Sequence, residues 1–326
     1  MRFPTAVLCL LALALRPAAA QTNSGAVPAE CVETKTAGLD TGQPTEAEGP
    51  GFDSPGSGSV GKNALCTGLV LHNRATVAAS AGRLAEAEGL EERALRILSA
   101  GRDPRDPILL RPLFILWSVR FQQGGIGRAR EAFRALRSIP LAQAEDRAIV
   151  SGAAAEQLLI EGRYGEAERE FRYALREADG AGLARTAYAA SLVTGLGSLY
   201  LIQGRYRDAD SALLRAFEIV GSSNHTLPAD RMKLLAVRGC LRAREERWRE
   251  AEEDLSAAVA IAERETTLDP ALVKPILLSD AIILRKMHRN KQARSVEDRA
   301  RSIGTLALAD DVVDIIELSG EFKRKK

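Results

Sequence analysis

Gly204-Arg205-Tyr206-Arg207-Asp208-Ala209-Asp210 is the stretch on which the reading of this chain turns. It returns as Gly162-Arg163-Tyr164-Gly165-Glu166-Ala167-Glu168, as Gly82-Arg83-Leu84-Ala85-Glu86-Ala87-Glu88 and, altered, as Glu246-Arg247-Trp248-Arg249-Glu250-Ala251-Glu252. Weaker copies centre on Ala129 and Ala293. The aligned alanines Ala87, Ala129, Ala167, Ala209, Ala251 and Ala293 are 42, 38, 42, 42 and 42 residues apart. A fixed period of this size marks a solenoid, because one such unit cannot bury its apolar face alone and stacked copies can.

Each unit predicts two helices. A helical run such as Ser191–Ile202 comes first, Gly204-Arg205 turns the chain, and a second helix such as Tyr206–Val220 follows. Glycine takes the left-handed conformation after a helix at little steric cost. Acids such as Glu166 and Asp208 then stand in the first turn of the second helix, where the helix dipole favours them. Twelve residues before the aligned alanine stand Ala75, Ala155, Gly197, Gly239 and Ala281, with Trp117 in the second unit. Three residues before it stand Leu84, Ile126, Tyr164, Tyr206 and Trp248; seven after it stand Ala94, Ala174, Ala216, Ala258 and Ala300. Small residues let helices approach closely, and the bulky one fills the space between them. Asp106-Pro107 and Asp269-Pro270 are helix-start signals, and Pro140 and Pro228 mark breaks. The expectation is an all-α fold of twelve helices in six antiparallel pairs between about residues 64 and 305.

These units resemble tetratricopeptide repeats, most closely through Gly197, Tyr200, Gly204, Tyr206, Ala209 and Ala216. The usual repeat of that family is 34 residues long; the longer period here, and Leu90-Glu91-Glu92-Arg93-Ala94-Leu95, resemble the kinesin light chain variety. The likeness spans three quarters of the chain and is weakest in the second and sixth units, where Asn290 and Glu297 replace apolar residues. It implies a right-handed superhelical solenoid with a concave groove lined by first helices, in which a peptide or partner protein binds. In the kinesin type an asparagine before the small residue holds the ligand backbone. Asn73 has that place, but Ala153, Gly195, Val237 and Ser279 hold it elsewhere, so a repeated asparagine clamp is absent. Residues three or four apart share a helix face. On that rule the groove candidates are Arg111, Phe114, Ser118 and Phe121, with Glu156, Thr194, Ser198, Lys233 and Arg244 from later units; the resemblance adds Asn73.

The flanks read differently. Arg2, the apolar run Val7–Leu15 and Ala18-Ala19-Ala20 before Gln21 predict a signal peptide over 1–20, cleaved near Ala20. Nine apolar residues are too few to span a bilayer, and no later stretch is long and apolar enough for a transmembrane helix. Residues 21–61, with Glu48-Gly49-Pro50-Gly51 and Ser54-Pro55-Gly56-Ser57-Gly58-Ser59, form a flexible linker by composition. The repeat domain is placed at 62–305 and a cap or tail at 306–326. Val312–Leu318 reads equally as helix or extended chain, and Lys323-Arg324-Lys325-Lys326 as a solvated end.

Net charge is +2; the leader holds Arg2 and Arg16 and no acid, so the mature chain is at 2 − 2 = 0. That balance offers no electrostatic case for nucleic acid. The surplus of Arg over Lys, with abundant Ala, suggests a GC-rich bacterial source and hence a periplasmic or secreted location. Removal of Cys9 leaves Cys31, Cys66 and Cys240; Cys31 and Cys66 are free to pair or to remain thiols, and Cys240 reads as a small buried residue. His72, His225 and His288 show no metal spacing and read as surface residues. Neither a nucleophile elbow nor a phosphate loop is present, and Gly124-Gly125-Ile126-Gly127 falls at an inter-helix turn. Acidic pairs such as Glu252-Glu253 read as the outer faces of helices, and Asn224-His225-Thr226 as a loop sequon. The expectation is a non-catalytic protein-binding scaffold with no cofactor and no metal. The alternatives are a self-associating structural protein or, less favoured, a binding part of an enzyme system.

Overall fold

The computed structural model describes residues 57–222, 228–265, 268 and 270–303. The leader, most of the linker with Cys31, Asp269, the Asn224 sequon and the tail from 304 lie outside the described residues. Within them the fold is all-α. Its helices are α1 (Ser57–Ser80), α2 (Leu84–Ser99), α3 (Leu110–Gln122), α4 (Ile126–Ser138), α5 (Ala144–Ile160) and α6 (Tyr164–Gly180). They continue as α7 (Ala187–Ile202), α8 (Tyr206–Ser222), α9 (Pro228–Arg244), α10 (Trp248–Arg264), α11 (Pro270–Lys286) and α12 (Asn290–Ser302). α1 starts within the segment predicted as linker. Cys66 is disulfide-bonded.

The twelve helices pair in chain order, α1 with α2 through α11 with α12, and each pair packs on the next. First helices also pack on one another, α1 on α3 through α9 on α11. They form one layer of the solenoid, and the second helices form the other. The turn inside every pair is the same. The residue five before the aligned alanine has positive φ: Gly82, Gly124, Gly162 and Gly204 at 73–78°, and Glu246 and His288 at 61°. The next amide donates to the carbonyl five residues back, as from Arg205 to Tyr200 at 2.9 Å and from Arg247 to Arg242 at 2.9 Å, which closes the helix end. The predicted glycine turn thus persists in the fifth and sixth units without glycine, at a conformational cost. Asp106 does start a helical turn: its side chain accepts from the Ile108 amide at 3.0 Å.

The small residues act as predicted. A Cβ at Gly197 would stand 3.1 Å from Leu213, and one at Gly239 would stand 2.9 Å from Leu255, so both glycines are seats for a leucine of the paired helix. In the second unit Trp117 fills that place and is buried among Phe114, Phe121 and Phe133, with ring centroids at 5.6, 5.3 and 6.3 Å. This aromatic cluster explains why the repeat signature fades there.

A second repeated device joins units. The acid just after the aligned alanine is held by a cation of the following unit. Glu88 meets Arg120 at 2.9 Å and Arg128 at 2.7 Å; Glu168 meets Arg205 at 3.0 Å. Asp210 meets Arg242 at 3.0 Å, and Glu252 meets Arg289 at 2.9 Å. Glu252 is therefore an inter-unit bridge rather than a free outer-face acid.

Candidate functional site: the inner face of the first helices

The position eleven residues before the aligned alanine carries Thr76, Ser118, Glu156, Ser198 and Cys240 in the first five units. The four oxygen-bearing side chains are all buried. This line runs along the first-helix layer, one residue beyond the small packing position. Polar side chains removed from water cost free energy unless partnered, so each needs an account. Gln122 donates to the Ser118 hydroxyl at 3.1 Å. Thr194, four residues before Ser198, donates to the Ala190 carbonyl at 2.8 Å. The Ser198 hydroxyl, in a residue only 1% exposed, has no hydrogen-bond partner. Burial pushes the Cys240 thiol up to about 12, which keeps it protonated and unreactive.

Lys233 decides the shape of this face. Its side chain is 2% exposed, and its ammonium donates to Gln122 Oε1 at 2.8 Å across a separation of 111 residues. Gln122 ends α3 and Lys233 lies in α9, so the bond spans the two intervening units and draws the inner faces of the second and fifth units together. Glu156, on α5, is 6% exposed. Burial pushes its carboxyl well above the ordinary value, against the pull of the Lys233 ammonium. Burial, with Glu156 nearby, also pushes the Tyr188 phenol well up, and its hydroxyl donates to the Ala148 carbonyl at 2.8 Å. The void that Thr194 and Lys233 share measures about 10 Å³, room for no more than a single water.

The groove candidates thus fall into three groups. Glu156, Thr194, Ser198 and Lys233 come together as buried polar groups of the first-helix layer. Phe114 and Phe121 belong to the aromatic cluster around Trp117 and are core residues in this structure. Asn73, Arg111 and Arg244 are half-buried, and Arg111 pairs with Glu145 at 2.7 Å and Asp146 at 3.6 Å. Sequence reasoning missed Gln122. Its signal was a glutamine at the end of a first helix, which no local rule distinguishes from a solvated one. It also misplaced His72, which is no surface residue: its ring nitrogen stands 3.0 Å from Glu91, and both side chains are buried. Burial pushes the Glu91 carboxyl up to about 7, partly offset by His72. His288 is exposed, at an inter-helix turn, and His225 lies outside the described residues.

Among the described residues no group of three or more His, Cys, Asp or Glu is placed to hold a metal ion, and no helix is long and apolar enough to cross a membrane. No family model matches the chain, and no curated protein matches it. Among solved structures it is similar to BtubC (BKLC) from P. vanneervenii, at 18% identity over 71% of this chain and 97% of that one, with a TM-score of 0.47. It is also similar to the apo form of RapI, at 15% identity over 72% and 98% of the two chains, with a TM-score of 0.48. Likeness of this degree says nothing about what the chain does. The helix pairs and their contacts carry the fold.

Proposed function

We propose that this chain is a non-catalytic protein-interaction scaffold, exported to the cell envelope, that takes a peptide or partner segment against the inner face of its first helices. The observation that supports this reading is the concentration of polar side chains on that face. Ser118, Gln122, Glu156, Thr194, Ser198 and Lys233 come from four successive units and are withdrawn from water. A layer serving only as core would often be at least as stable with apolar residues of the same size. A partner segment that offers backbone donors and acceptors satisfies the same groups, and it displaces the Lys233–Gln122 bond to reach them. The disulfide at Cys66 suits an oxidising compartment, as the leader 1–20 does.

Capture from a periplasmic extract tests the reading. The wild-type chain is expected to retain a defined partner, and Lys233→Met and Arg244→Ala chains that keep their helical circular dichroism are expected to lose it. Retention of the same partner by both variants would remove the inner face from consideration.

A further inference from the structure

The last two units carry an open, mainly polar cavity of about 250 Å³, floored in part by Leu284 and Val296, that is separate from the inner face and independent of the reading just given. α10 contributes Glu252 and Ser256, α11 contributes Asp280, and Arg289, Gln292 and Ser295 line it from the last turn and α12. Most of these groups satisfy one another. Arg289 pairs with Glu252 at 2.9 Å and donates to Gln292, and the Ser256 hydroxyl donates to Glu252 at 3.2 Å. Asp280 is the exception. It is 4% exposed, it lines the cavity, and its Oδ1 has no hydrogen-bond partner.

The repeat register shows what is missing. Asp280 stands thirteen residues before its aligned alanine, and in the fifth unit that place belongs to Arg238. There the guanidinium donates twice to Asp254, at 2.9 and 2.6 Å. In the sixth unit the register position carries an acid instead, and Val296 stands where Asp254 would be. A buried carboxylate without a donor is costly, and a cation that enters the cavity removes that cost. Arg289 is paired directly with Glu252, and Arg289 and Arg299 attract Asp280 only at longer range, against the repulsion of Glu252, so Asp280 is the carboxylate of the cavity that lacks a direct cation partner.

We infer that this cavity is a binding site for one basic side chain of a polypeptide, with Asp280 as its counter-charge. Two sources offer that chemistry: a lysine or arginine of another protein, and this chain's own Lys323-Arg324-Lys325-Lys326. The full-length chain is titrated with Nα-acetyl-lysine N-methylamide, followed by ligand-observed nuclear magnetic resonance. Nα-acetyl-norleucine N-methylamide, which keeps the alkyl stem and lacks the ammonium, is the control. Saturable binding of the lysine probe is expected, weaker by roughly tenfold or more for norleucine and for the Asp280→Asn chain. Replacing residues 323–326 by glutamine separates the sources. If the chain's own end occupies the cavity, these substitutions tighten probe binding; if the basic group comes from another protein, affinity stays the same. Equal binding of the two probes overturns the inference whatever the folding of Asp280→Asn. So does undiminished binding to a folded Asp280→Asn chain, or no saturable binding with and without the glutamine substitutions.

Discussion

α7 and α6 show how differently the two layers treat their residues. α7, a first helix, buries fourteen of its sixteen residues, including Thr194 and Ser198. α6, a second helix, buries four of seventeen: Ala167, Phe171, Ala174 and Ala178, one stripe at helical spacing. A polar side chain therefore means different things in the two layers. Arg163 and Glu166 meet at 2.6 Å in water and need no partner to be content. Lys233, Gln122 and Glu156 have left water, so their placement is costly unless it is compensated. Charge on the second helices keeps the solenoid solvated, and polarity on the first helices is a feature that packing alone does not require.

The sharpest break of that contrast is a matched pair of tryptophan truncations. Trp117→Ala empties the aromatic cluster of a first helix and is expected to cost about 3–5 kcal/mol in urea unfolding. Trp248→Ala, half-buried at the start of second helix α10, is expected to cost about 1–2 kcal/mol. Equal losses would dissolve the distinction between layers.

Glu91 is the one residue of α2 that carries an acid into the interior, where it meets His72. Its folded value of about 7 lies above its ordinary 4.5. The protonated form is thus favoured by folding. The associated stability is full below the ordinary value and is lost as pH rises through about 7. Thermal melts should show a decline on the order of 3 kcal/mol across that window, and Glu91→Gln should flatten it. An unchanged pH profile in that variant would assign the decline elsewhere.

Smaller effects probe the turns and the outer surface. Glu246 holds a left-handed conformation that four other units give to glycine, so Glu246→Gly is expected to stabilise the chain by about 1 kcal/mol. A loss on that substitution would show that Glu246 makes a contact worth more than the strain. Arg163→Ala, in an exposed pair, is expected to leave the urea-unfolding midpoint unchanged within error. A larger loss would give the outer ion pairs a structural weight that the layer contrast denies them.

Much of the architecture was legible from residue spacing, because hairpin formation is local. The glycine turn at Gly204, the small seats at Gly197 and Gly239, and the alanine period each act over a few residues or one unit. The helix-start signal at Asp106 is of the same kind. The candidate site was legible only in part. Helical spacing selected Glu156, Thr194, Ser198 and Lys233, which do share the first-helix layer, but it treated them as the lining of an open groove. Spacing selected Phe114 and Phe121 by the same rule, and Trp117 in place of a small residue drew them into the core. His72 was read as a surface residue because its partner Glu91 lies on the other helix of its pair, where spacing along one helix does not reach.

By itself the amino-acid order determined that this chain forms helix pairs, where each pair turns, and that six of them stack in series. Only the tertiary structure decided that Lys233 would reach Gln122 and that Asp280 would be buried without a donor. The physical reason is accumulation. Each unit is rotated slightly on its neighbour, and the curvature that brings α3 to α9 is the sum of several such rotations. That sum is set by side-chain packing at every interface, and no pattern within a single unit records it.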